Sequence, residues 1–115
     1  MEFFIFINRT PLHYAAEKGD LDLVKFILQQ KGVDLNETTN TIFIFLFFNG
    51  VFNLFFNLSA LHYAAGHQKA EVVDYLLSLE GIIANSKDVS GLGPRGVVLE
   101  NGKYVYKPVQ TKKNL

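Results

Sequence analysis

The sequence predicts an all-α fold, a short α-solenoid of paired helix-turn-helix repeats, and three observations predict it. The pentapeptide Leu-His-Tyr-Ala-Ala stands at residues 12–16 and again at 61–65. Displacing the chain by 49 residues aligns more than these letters: Val24 falls on Val73, Leu28 on Leu77, Gly32 on Gly81 and Asn36 on Asn85, while Phe26 meets Tyr75, Ile27 meets Leu76 and Asp22 meets Glu71. Agreement at apolar and turn positions, with freedom between them, is what duplicated packing units share. Within each copy, finally, the apolar residues recur at helical spacing.

The first copy opens with Thr10, whose side-chain oxygen can cap a helix, and Pro11, which suits the first helical position because no amide donor is needed there. Leu12, Ala15 and Ala16 set an apolar face at i, i+3 and i+4, and the alanines let a neighbouring helix come close. Glu17-Lys18-Gly19-Asp20 breaks the run. A second helix is expected from about Leu21 to Gln30, with Leu23, Val24, Ile27 and Leu28 on its apolar side and Gly32 placed to stop it. The second copy repeats this plan from Ser59 to Gly81.

Composition narrows the function classes. A chain of 115 residues with 49% hydrophobic content suffices for one small domain with its own core. Eleven basic and eleven acidic residues cancel, so the charge balance gives no reason to expect nucleic acid or an anionic membrane as partner. The absence of cysteine excludes disulfides, thiolate chemistry and cysteine-based zinc sites, and agrees with a reducing compartment. The opening MEFFIFIN carries Glu where a signal peptide carries positive charge, and its five-residue apolar stretch is too short for a secretory core. A cytoplasmic protein is therefore expected, with the nucleus also open to it and membrane association the lesser alternative.

TPLHYAAEKGDLDLVKFILQQKGVDLN resembles an ankyrin repeat, whose Thr-Pro-Leu-His-x-Ala signature and period of about 33 residues are distinctive. SALHYAAGHQKAEVVDYLLSLEGIIAN is similar, but has Ser59 for Thr, Ala60 for Pro, and Gln68-Lys69 where the family has Gly-His, departures that weaken one turn. Both copies carry one residue more than usual before Gly32 and Gly81, giving a working period of about 34. The resemblance covers residues 10–36 and 59–92. It implies that His13 and His62 hydrogen-bond neighbouring turns, and that the chain is a non-catalytic protein-binding module whose partner is another protein, not a small-molecule substrate.

A third repeat begins and fails. NSKDVSGLGP resembles the linker into a further repeat, yet Arg95-Gly96 stand where Leu-His belongs. Apolar and polar residues then alternate around Asn101-Gly102, which predicts a C-terminal β-hairpin from about Val97 to Tyr106 and a frayed end beyond it. The expected organisation is an apolar N-terminal segment at 1–9, repeats at 10–40 and 59–92 separated by an insertion at 41–58, and the hairpin segment at 93–115.

A spacing of 49 less a period of about 34 leaves 15 residues, and they lie in the uncharged, Phe-rich TIFIFLFFNGVFNLFFN of residues 41–57. Four readings compete. A transmembrane helix over Ile42 to Leu58 would anchor the protein, but 17 residues interrupted by Asn49, Gly50, Asn53 and Asn57 fall short of the roughly 20 apolar residues of a span. A β-hairpin insertion would pair arms Ile42–Phe48 and Val51–Phe56 across Asn49-Gly50. With both faces apolar, such a finger would need a cover, which makes a hydrophobic docking element the third reading. Translated non-coding sequence is the fourth, because Phe, Ile, Leu and Asn all have codons built from A and T alone; MEFFIFIN has the same character.

Catalytic and metal chemistry find little support. With His13 and His62 used structurally, His67 alone is left where a zinc site wants three or four ligands, and it has no carboxylate near in sequence before Glu71. GLGPRG lacks the Lys-Ser/Thr of a phosphate loop and reads as a linker. Asn8, Asn36 and Asn57 head glycosylation sequons that mean nothing without a secretory route. No cofactor or metal is expected. The resemblance implies a concave binding surface of hairpin tips and inner-helix ends, here Glu17 and Lys18, Gly66 and His67, and Val89, Ser90 and Leu92, with Thr41 and Leu58 flanking the insertion. Two repeats cannot bury their own flanks, so Val73, Leu76 and Leu77 need cover from the C-terminal segment, a partner or a second copy.

Overall fold

The computed structural model describes residues 3–45, 58–88 and 91–108, with the backbone alone for 3–8 and 40–45. Strand β1 (Phe3–Asn8) leads into helices α1 (Pro11–Lys18) and α2 (Leu21–Leu28), strand β2 (Asn40–Phe45), helices α3 (Ala60–Gly66) and α4 (Ala70–Leu77), and strands β3 (Val97–Glu100) and β4 (Lys103–Tyr106).

Both inner helices start by the same local chemistry. Thr10 Oγ1 accepts from the His13 amide while His13 Nδ1 accepts from the Thr10 amide; Ser59 and His62 repeat the exchange at α3. Each pair satisfies two amides that a bare helix start leaves orphaned. The inner helix of repeat 1 ends at Gly19, in the left-handed region at φ 75°. Its counterpart in repeat 2, Gln68, takes φ 59° with a side chain, and Lys69 supplies no side-chain cap to α4 where Asp20 caps α2 at the Leu23 amide. The departures at 68 and 69 thus fall on the one turn where they cost most.

Helix α1 packs on α3 and α2 on α4. The core between them is Leu12, Ala15, Ala16, Val24, Ala60, Leu61, Ala64, Ala65, Val72, Val73, Leu76 and Ala84. The paired alanines bring the inner helices together, and the aliphatics fill the space under the outer ones. Helix α2 stops at Leu28 with Gln29 as its cap, two residues before the expected end at Gln30, and Gly32 instead takes its φ of 83° in the following turn. Leu23, expected on the apolar side of α2, is 42% exposed because among the described residues no helix packs against repeat 1 on that flank, whereas Val72 at the same place in repeat 2 is fully buried.

At the other flank, Gly93 and Pro94 stand where Ser59 and Ala60 start α3, but glycine has no side chain to cap a helix. The chain turns instead at Gly96, where φ is 82°, its carbonyl accepts from the Lys107 amide at 2.6 Å, and a Cβ would come within 2.8 Å of the Lys107 oxygen. β3 and β4 pair antiparallel from Val97↔Tyr106 to Glu100↔Lys103, around Asn101 and Gly102 at φ 51° and 78°. Positive φ at both central residues is the tight turn whose twist matches a hairpin. Val97, Tyr104 and Tyr106 pack against the core, so among the three covers considered for Val73 and Leu76 it is the C-terminal segment that lies on α4.

The insertion departs from the helical expectation. Residues 42–45 are strand, so no helix runs from Ile42 to Leu58, and the strand partner is β1: Phe3 faces Phe45 and Asn8 faces Asn40, antiparallel. The N-terminal segment therefore occupies an edge of β2. The expected second arm, Val51–Phe56, lies outside the described residues. Among the described residues no helix is long and apolar enough to cross a membrane.

Candidate functional site

Thr39 and Leu58 close the neck of the insertion. The Thr39 amide donates to the Leu58 carbonyl at 2.9 Å, and Thr39 Oγ1 accepts from the Leu58 amide at 3.0 Å. One repeat later Asp88 and Leu92 make the same two bonds, amide to carbonyl at 2.9 Å and side-chain oxygen from amide at 2.9 Å. The partners are 19 residues apart in the first neck and 4 in the second, a difference equal to the 15 surplus residues. An ordinary inter-repeat turn is thus kept intact with the surplus threaded through it.

The two histidines lock inner helices to these loops. His13 Nε2 lies 2.8 Å from the Glu37 carbonyl and His62 Nε2 3.1 Å from the Leu92 carbonyl. Because Nδ1 of each accepts a backbone amide, the proton sits on Nε2, which donates to the carbonyl. Burial pushes both rings below the ordinary histidine value and keeps them neutral.

Beside the neck, the inner-helix ends of both repeats meet in one cluster. The Arg9 guanidinium lies over the rings of Tyr14 and Tyr63, at 4.0 and 4.4 Å from their centroids, and bonds Glu17 Oε1. His67 Nε2 stands 3.3 Å from Glu17 Oε2. Glu17 is therefore shared by the two repeats, and the hydrogen bond from Arg9 holds its carboxyl below the usual range. Burial raises the pKa of the Tyr63 hydroxyl. His67, read from sequence as having no carboxylate near it, has one supplied by the other repeat. Arg9 was not among the expected site residues; the only sequence sign is a cation next to the helix cap.

The next element of the surface is a groove of about 310 Å³ that brings four of the expected residues together: Leu58 from the neck, Gly66 and His67 from the end of α3, and Leu92 from the following linker. Tyr63 forms part of its wall, and Asp88 and Arg95 also border it. Leu92 is 64% exposed. Glu17 is engaged in the cluster alongside, and Lys18 is exposed. Thr41 lies in β2, described by its backbone alone, and Val89 and Ser90 lie outside the described residues. Among the described residues no three histidine or carboxylate side chains are grouped to hold a metal ion.

Stacked helix-turn-helix units with capping boxes at each inner helix, joined by hydrogen-bonded turns, define a helical repeat protein. A family model described as ankyrin repeats (many copies) matches residues 12–77, more than half of the chain. The chain belongs to the ankyrin-repeat family. Comparison with curated proteins gave no match.

Proposed function

We propose that this chain is a non-catalytic protein-binding module that holds a segment of a partner protein along the groove between the necks and the inner-helix ends. The observation that carries the reading is the convergence of Leu58, from the neck of the insertion, with Gly66, His67 and Leu92, from separate parts of repeat 2, on one open groove beside the Arg9–Glu17–His67 cluster. Apolar walls with a few fixed polar groups suit a peptide segment, and the side chains that project there are surplus to the core. The repeats are the solenoid, the β3–β4 hairpin closes its C-terminal end, and 1–9, 10–40, 41–58, 59–92 and 93–115 are its working divisions. A cytoplasmic setting agrees with the cysteine-free composition. No helix anchors it to a membrane among the described residues, which leaves the binding reading ahead of the anchored one.

Affinity capture with the full chain and with Leu92→Arg, at matched melting temperatures, tests the site. A protein retained by the wild type and weakened at least tenfold by Leu92→Arg supports the groove, since a buried charge at an interface costs on the order of 2 kcal/mol or more. Equal retention by both would move binding elsewhere on the molecule.

A further inference from the structure

The groove at the end of α3 carries a charge pattern as well as apolar walls. The carboxylates at the groove and in the cluster beside it are engaged: Asp88 Oδ1 accepts from the Leu92 amide at 2.9 Å, and Glu17 is held by Arg9 and lies 3.3 Å from His67 Nε2. Two cations stand differently. Arg95 lines the groove and is exposed. Lys87, also exposed, places its Nζ 4.0 Å from where a Cβ on Gly93 would lie, and Gly93 lines the groove next to Leu92. Among the described residues neither cation makes a salt bridge. The chain has no net charge, so this positive surplus is local to the groove.

We infer that the occupant of the groove is an acidic, apolar segment of the partner protein, with an Asp or Glu side chain set against Arg95 and Lys87 and a neighbouring aliphatic or aromatic side chain lying on Leu58 and Leu92. This rests on the binding reading given above and adds the chemistry of what is bound. A basic segment would meet Arg95 and Lys87 where the nearby carboxylates, Asp88 and Glu17, already have partners. An uncharged segment would draw nothing from the two cations. A carboxylate suits both, because the arginine fork can bond it at two points and the lysine ammonium adds a point charge. Charges at the rim of an interface act chiefly on the rate of encounter and the choice of partner, and the apolar contacts supply the anchor.

The test is selection of linear peptides from a random phage-displayed library against the immobilised full chain, after which the retained peptides are synthesised and titrated by fluorescence anisotropy. Leu92→Asn, neutral and at an exposed position, reports whether a peptide sits in the groove; Lys87→Glu with Arg95→Glu reports what the cations do. Peptides weakened by Leu92→Asn are expected to carry Asp or Glu beside an apolar residue, to lose at least tenfold in affinity to the double reversal, and to weaken as salt rises from about 0.1 to about 1 M. Groove peptides that are neutral or basic, or acidic ones indifferent to the double reversal, overturn the inference and leave the groove reading standing. An absence of peptides that respond to Leu92→Asn overturns the groove reading and this inference with it. Peptides with Lys in place of their acids are expected to bind the double reversal better than the wild type, a gain that unfolding of the variant would not produce.

Discussion

His13 and His62 each hold an inner helix to a loop, and each does so as a neutral ring. Protonation would place a hydrogen on Nδ1 opposite an amide that already donates to it. Burial sets both folded pKa values below the unfolded value near 6.5, so below that pH the unfolded chain binds more protons than the folded one. The stability the rings contribute is complete above about pH 6.5 and is lost as pH falls from there toward their folded values. The urea midpoint at pH 5 is therefore expected below that at pH 7.5, in a window above the titration of Glu17; equal midpoints would contradict the neutral, buried assignment. Arg9 works differently, since its flat cation fits between two tyrosine rings from different repeats, which a lysine ammonium does not.

Among the elements, the turn between α3 and α4 is the weak one. Repeat 1 solves the same turn with Gly19 in the left-handed region and Asp20 as cap; repeat 2 has Gln68 and Lys69 there. A side chain at positive φ and an absent cap each cost about 1 kcal/mol. Gln68→Gly with Lys69→Asp is thus expected to raise stability by about 1–2 kcal/mol, read as a higher urea midpoint with unchanged slope. No gain would mean that the aliphatic stem of Lys69, which lies against Gly19, contributes as much packing as the cap would. The β3–β4 hairpin shows the reverse economy: Asn101-Gly102 sets its turn locally, and Gly93 removes the cap that a third inner helix would need.

For the molecule as a whole, the paired necks predict that the surplus residues are separable from the repeats. Replacing residues 40–57 by Val-Ser-Gly, the sequence between Asp88 and Leu92, keeps both neck bonds available and shortens the loop. Helical ellipticity is expected to be retained and stability, followed as the melting temperature, to stay level or rise by on the order of 1 kcal/mol from the smaller closure entropy. A collapse of the helices would show that β1–β2 pairing supports the core. The parts of this architecture that the sequence makes legible are those decided locally. Thr10-Pro11 and Ser59 mark helix starts, alanines at i, i+3 and i+4 mark the close-packed face, and Asn101-Gly102 marks a hairpin. The β1–β2 register was not legible, because strands apolar on both faces carry no alternation to select a partner. Nor was the Arg9 cluster, whose members come together only after the two repeats stack. Of the candidate residues, Leu58, Gly66, His67 and Leu92 line one groove and are named by their place in the repeat, while Arg95 and Tyr63 join that groove only once the loops have positions.

The neck at Thr39 and Leu58 also sets a tempo for assembly. Docking the second repeat on the first requires closing a contour 19 residues long where its counterpart closes 4, a little over two doublings and so about 1.4 kcal/mol of search entropy. If that encounter lies in the rate-limiting step, refolding slows by about tenfold while unfolding is untouched. For that longer search the apolar surfaces of both repeats are open to other chains, so the cost of the surplus residues falls on the nascent protein rather than on the finished one.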